Sequence, residues 1–308
     1  MFFAGTAGSA PTARRGLPAL LVRRGGDRLL FDCGEGTQRQ LVRSIGLPDV
    51  HDVFLTHFHV DHWLGLPGLL KTFDLRGREV PLAIHGPPGL DELMRLLRPV
   101  VGRVGYPLEA TELAPGDAVE HDGYRIAPFA VDHRVPAYGY ALFEDERPGR
   151  FDAELAQRLG VTPGPDFGRL QRGEAVDGVA PEQVLGPPRP GRKLVLSGDT
   201  APCPALVVAA HEADLLVHEA TFVEEARDRA VETAHATAAQ AAEVARDAGV
   251  RMLALTHMST RYGGGEVRDE ARAIFPNTVV PRDFDSIELP FPERGEPQLV
   301  RWEEEVAT

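Results

Sequence analysis

The chain has 308 residues, 43% hydrophobic and 26% charged, with a formal net charge of -13; these values fit a globular protein with a sizeable core and argue against non-specific adhesion to nucleic acid. No early segment has the basic-then-apolar layout of a signal peptide, and no apolar run approaches the ~20 residues that cross a bilayer. Cys33 and Cys203 are the only cysteines, so a disulfide framework is not expected and a reducing cytoplasm is.

Charge is unevenly spread. Residues 1–43 carry seven arginines against Asp27, Asp32 and Glu35, and Lys71 and Lys193 are the only lysines. Arginine offers a planar fork that grips phosphate through two hydrogen bonds. In chain order, "LPALLVRR" and "DRLLFDCG" are short apolar runs separated by "GG", which predicts a hairpin. "HDVFLTH" reads as a buried strand, and "LPGLLKTFDL" as a helix with Pro67 near its first position. "VPLAIHGPPG" is a strand ended by a turn, and "LDELMRLLRPV" has apolar residues at helical spacing. "YRIAPFAVDH" and "AYGYALFE" are strands again.

Residues 147–192 change character. They are dense in Pro, Gly and Arg, with only "DAELAQRLG" reading as helix. Such a segment is expected to supply little core and to project as an arm inserted in a single domain, 1–308. Alternation then resumes: "KLVLSGDT" strand, "ALVVAAHEA" helix, "DLLVHEATF" strand, "ATAAQAAEVARDAGV" helix closed by Gly249, "RMLALTH" strand. Strand–helix units on both sides of the arm predict a layered α/β fold.

Four apolar strands run into residue types that bind metal: "VFLTH" at His57, "PFAVDH" at His133, "LVLSGD" at Asp199 and "LALTH" at His257. In sheets flanked by helices, ligand sites gather beyond strand ends. His57 and His59, two apart, can face one side of an extended segment, while Asp61 and His62 aim at a second point nearby. His133 completes a three-histidine set, His257 completes a set with Asp61 and His62, and Asp199 can bridge. Imidazole and carboxylate without thiolate favour zinc or another borderline divalent ion. A lone histidine is more often structural, and His51, His85, His121 and His211 are read so. Cys33 and Cys203 are read as inert. Two ions sharing a water make a binuclear hydrolase, for which carbonyl and phosphoryl substrates both remain open.

"THFHVDH" with Asp199 and His257 resembles the metallo-β-lactamase superfamily, a four-layer αββα sandwich. "FDCGEGTQRQL", "GLPGLL", "HRVPAYGY", "GVTPGPDFGRLQRGE", "LGPPRPGRKLVLSGDT", "LLVHEATF" and "ALTHMSTRY" narrow the resemblance, over nearly the whole chain, to the ribonuclease Z family in its short form. The resemblance implies a zinc-dependent endoribonuclease that removes 3′ trailers from precursor tRNA, leaves a 3′-hydroxyl, and works as a homodimer. It implies two Zn2+ per subunit: His57, His59 and His133 on one, Asp61, His62 and His257 on the other, with Asp199 between. Asp61 would also take a proton from the attacking water, and His235 of "TAHAT", assisted by Glu219 of "HEAT", would serve the leaving 3′ oxygen. The arm, with "GVTPGPDFG", would clamp the tRNA elbow, with shape recognition contributing, since the stretch from Arg147 to Lys193 holds eight Arg and Lys against six Asp and Glu. The family usually has Gly where Val60 stands, Asn where Gly16 ends "PTARRG", and Ser where Ala236 follows His235. Two alternatives are weighed beside this reading: a phosphodiesterase or hydrolase of the same superfamily acting on a small substrate, and an RNA-binding protein without catalysis.

Overall fold

The computed structural model describes residues 1–303. Its first half forms β1 (Phe2–Gly5), β2 (Ala19–Arg24), β3 (Asp27–Phe31), β4 (Asp52–Phe54), β5 (Leu82–Gly86), β6 (Leu108–Glu112), β7 (Val119–His121), β8 (Tyr124–Ala130) and β9 (Tyr138–Glu144). Then come β10 (Lys193–Leu196), β11 (Leu215–Glu219), β12 (Leu253–Thr256), β13 (Thr278–Val279), β14 (Ser286–Glu288) and β15 (Gln298–Val300). They build one sheet in the order β15-β14-β1-β2-β3-β4-β5-β6 and a second in the order β13-β12-β11-β10-β9-β8-β7.

Both sheets are mixed for the same reason. Short turns join antiparallel neighbours: β2 and β3 meet at Arg24 and Asp27 across the anticipated glycine pair, with Gly25 left-handed at φ 53. The runs β3 to β6 and β10 to β13 are parallel, and most of their links carry a crossover helix: Leu66–Leu75, Leu90–Val101, Pro204–Ala210, Ala238–Ala248 and Gly264–Arg272. Side chains alternate along each strand, so Phe3, Leu20 and Val22 face the space between the sheets while Phe2 and Leu21 face the helices. Tyr124, Tyr140, Leu194 and Leu215 meet the former set from the second sheet, and Leu216 and Leu253 pack under helix Ala238–Ala248. Helix, sheet, sheet, helix is the anticipated four-layer order. Both faces of both sheets are covered, which explains the continuous apolar runs in the sequence.

Segment 147–192 corrects an expectation. It forms three short helices, Ala153–Arg158, Pro165–Gln171 and Pro181–Val184, instead of one. It also has a core of its own, in which Ala156, Val161, Leu170, Val176, Val179 and Val184 are buried against Phe151, Leu155 and Phe167. Asp152 caps the first helix by accepting the Leu155 N–H at 2.8 Å. Backbone bridges Arg147–Arg189 and Phe151–Leu185 tie its entering and leaving strands together. Among the described residues, no helix is long and apolar enough to cross a membrane.

Candidate metal centre

β4, β8, β10 and β12 stop one to three residues before His57, His133, Asp199 and His257, so these side chains ride on the loops just past the strands. His59 stands at the N-terminal end of the short helix Val60–Trp63, which turns Asp61 and His62 inward. His57, His62, Asp199 and His257 are almost wholly buried. All seven predicted ligands converge: His57, His59 and His133 form one group and Asp61, His62 and His257 another, each with ligand atoms within 4.8 Å of one another. Asp199 Oδ2 lies 3.9 Å from His57 Nε2, 3.3 Å from His62 Nε2 and 3.2 Å from His257 Nε2, between the groups.

The donor set fits divalent cations. Tetrahedral ligands about 2.0–2.1 Å from zinc sit about 3.3–3.4 Å from each other. His133 Nε2 and His59 Nδ1 are 3.2 Å apart, and His62 Nε2 and His257 Nε2 are 3.3 Å apart. The far side of four of the five rings is engaged. His62 Nδ1–H donates to Asp32 at 2.7 Å, and His133 Nδ1–H to the Ala234 carbonyl at 2.9 Å. His57 Nδ1–H donates to the Thr56 hydroxyl at 3.0 Å, which itself donates to Asp32. His257 Nδ1–H donates to the Thr221 hydroxyl at 2.8 Å, which donates to Glu219 at 2.7 Å. In these four rings Nδ1 is engaged behind the site and Nε2 faces its centre, whereas His59 presents Nδ1 to the other rings.

Electrostatics agree with that assignment. Burial pushes His57, His59 and His133 below the usual histidine range, and neighbouring histidines add to the effect, which keeps the rings neutral. Burial would lower His62 as well, but Asp199 and Asp32 pull it well above that range. Burial would raise Asp61 and Asp199, yet the surrounding histidines keep both ionised.

His235 and Glu219 arrive together at the same centre. His235 Nδ1–H donates to Glu219 Oε1 at 2.7 Å, and Nδ1 stands 3.9 Å from Asp199. Burial lowers His235, but the Glu219 carboxylate outweighs it and lifts the ring to about 9. Its Nδ1 lone pair is thus engaged as N–H, which suits proton donation better than ligation.

Sequence reading left Asp32, Thr56 and Thr221 unassigned. Asp32 serves His62 directly and His57 through Thr56, and Glu219 serves His235 directly and His257 through Thr221. Two carboxylate–threonine pairs thus brace the site from opposite sheets. Replacing Asp32 with alanine is expected to weaken metal affinity about 10–100-fold, read by competition with a chelating dye. Unchanged affinity would show that the rings keep their orientation without it.

Three further histidines make contacts outside the two donor groups. His85 bonds Asp52 at 3.0 Å, His121 stacks on Tyr124 at 4.5 Å and His51 accepts the Arg28 N–H. Burial raises the Cys33 thiol to about 12.

Comparison with known proteins follows the same line. Residues 15–211 match the metallo-beta-lactamase superfamily model, and residues 168–258 match a second beta-lactamase superfamily domain model. Ribonuclease Z of Myxococcus xanthus (strain DK1622) is 50% identical over 297 residues, covering 94% of this chain and 97% of its own. Ribonuclease Z of Methanosarcina acetivorans is 44% identical over the same span and coverage. The chain belongs to the ribonuclease Z family. Human tRNase Z, short form, superposes with a TM-score of 0.67 at 27% identity, covering 94% of this chain and 98% of that one. As a ribonuclease Z family member the chain is a hydrolytic endoribonuclease on a metallo-β-lactamase fold.

The three positions expected to differ from the family's usual residues are placed as follows. Val60 is 55% exposed at the start of its helix and disturbs no packing. Gly16 donates its N–H to Asp283 at 2.5 Å, and a Cβ there would stand 2.9 Å from Gln40 Nε2, so asparagine would require Gln40 to move. Ala236 is fully buried.

Proposed function

We propose that this ribonuclease removes the 3′ trailer from precursor tRNA, uses two zinc ions, leaves a 3′-hydroxyl on the tRNA, and works as a cytoplasmic homodimer. The observation that carries the chemistry is the placement of Asp199 between two sets of inward-facing donors, in which His57, His62, His133 and His257 have their outer nitrogens already bonded. When bound there, zinc supplies Lewis acidity, acidifying a shared water and offsetting charge on the attacked phosphate. His57, His59 and His133 would hold one ion, Asp61, His62 and His257 the other, and Asp199 both.

The chain's own groups manage the protons. Asp61 Oδ2 is fixed by the Ser9 N–H at 2.8 Å, and as an ionised carboxylate it can take the proton of the attacking water. His235, charged and held by Glu219, can give its proton to the departing 3′ oxygen. That division leaves one base and one acid on the same centre.

Substrate choice rests on features outside the metal cluster. A cavity of ≈ 750 Å³ is lined by Arg14, Arg15, Arg39, Arg43, Arg282 and Arg301 against Glu35, Asp283 and Asp285, and the loop that borders it also touches Asp61 through Ser9. Six arginines against three carboxylates leave a local cationic excess where RNA phosphates would pass, despite the acidic total. Segment 147–192, folded about its own core, suits a shape-reading clamp on tRNA, for which a small substrate has no use. Dimerisation is supported by Val42, Ile45, Leu64 and Leu75, apolar side chains left 37–78% exposed near or on the helices that cover the first sheet.

Incubating the purified protein with zinc and a 3′-extended tRNA, then mapping the cut, tests the reading. Full binding without cleavage in any divalent metal would replace it with a non-catalytic RNA-binding role. Deleting residues 151–190 is expected to abolish cleavage of precursor tRNA while sparing a chromogenic phosphodiester. Undiminished tRNA cleavage by the deletion would remove the clamp.

A further inference from the structure

The core of segment 147–192 is built from residues 151–184, and among the described residues no apolar side chain of the sandwich belongs to it. Its angle to the body must therefore be set at its base. There, the Arg147 N–H donates to the Arg189 carbonyl at 2.8 Å and the Arg189 N–H returns the bond at 2.9 Å, which places two guanidinium groups side by side. Like charges so placed repel unless an anion joins them. Glu293, on the short turn Pro292–Arg294 near the C-terminus, does so. Its carboxylate accepts from Arg147 Nη1 at 2.7 Å, Arg147 Nη2 at 3.1 Å and Arg189 Nη1 at 2.9 Å.

Two residues earlier, the Phe291 ring carries the Arg147 guanidinium on its face at 3.5 Å and that of Arg192 at 4.5 Å. Arg192 in turn donates to Glu144 at 2.7 and 2.6 Å and to the Leu289 carbonyl at 2.7 Å. Leu289 packs against the core between the sheets. The joint thus runs without a gap from the stalk of the arm to the rigid body, and both strands of the stalk enter it. An isolated surface ion pair would hold nothing in place. A carboxylate shared by two arginines, one of them bidentate and stacked on a ring, fixes a direction.

We infer that the turn bearing Phe291 and Glu293 is a latch that sets the attitude of the 147–192 arm, which makes Glu293 a positioning residue for tRNA. This rests on the reading of the arm as the tRNA clamp. A clamp held at the right angle presents the cleavage site to the metals at high effective concentration; a swinging clamp dilutes it.

The test uses Glu293→Ala and Glu293→Gln in the full-length protein. Spin labels at Thr162, exposed on the arm, and Val208, 75% exposed on the body, placed in a Cys203→Ser background, report the arm–body distance distribution. The latch predicts a broadened distribution, a KM for 3′-extended tRNA raised about tenfold, and unchanged kcat and chromogenic phosphodiester hydrolysis. A distribution as narrow as the parent's overturns it. So does a broadened distribution with unchanged KM, provided deletion of residues 151–190 abolishes cleavage of 3′-extended tRNA. If that deletion leaves tRNA cleavage intact, the clamp reading fails instead. Should the Glu293 variants not fold, Arg189→Gln breaks the same joint from the arm side, with the same outcomes.

Discussion

Replacing Asp199 with alanine is expected to lower kcat/KM for 3′-extended tRNA by about a thousandfold or more, because several kcal/mol of metal-derived charge stabilisation depend on it. Its Oδ2 lies within 3.9 Å of ring nitrogens from both histidine groups. Without it, the imidazoles of His57, His59, His62, His133 and His257 lose the carboxylate between their two groups, and Asp61 stands beside His62 and His257 only. Elemental analysis of the purified variant should therefore find fewer than two ions per chain. Two retained ions with undiminished turnover would show that the donor groups act independently.

Replacing His235 with alanine is the second large effect: kcat for tRNA should fall by about 10²–10⁴-fold, the contribution of a positioned general acid. KM should hardly move, since the ring sits at the metal cluster and away from the arm. A substrate with a nitrophenolate leaving group departs without protonation, so its hydrolysis should be largely retained. Equal losses on both substrates would place His235 in metal binding, a geometry it approaches with His133 and Asp199. Glu219→Gln is a poorer probe, because Glu219 also holds Thr221 and, through it, His257.

What could be read in advance follows physical lines. His57, His59, Asp61 and His62 stand out because clustered imidazoles and a carboxylate have no value in an apolar core and cost much to desolvate there. The long apolar runs of β2, β3 and β9 signal burial on both faces. Asp32 was not legible: one aspartate at the end of "LLFD" looks like any strand terminus, and it becomes a brace only when Thr56 and His62 fold back onto it, at a left-handed φ of 58. β1 was also missed, since "FFAG" breaks into glycine at once and owes its pairing to Ser286, far along the chain. In the arm, Val161, Leu170, Val176, Val179 and Val184 follow neither a helical nor a strand period, so their shared core was invisible to pattern.

That pairing of β1 with β14 has a wider meaning. The opening strand lies between β2 and a strand made from residues 286–288, and the last donor of the metal cluster is His257. Contacts of such sequence separation close late in folding. A chain released before residue 257 lacks the final imidazole, and one released before residue 286 lacks β14, a neighbour of its first strand. Fragments ending before His257 are therefore expected to leave 3′-extended tRNA uncut.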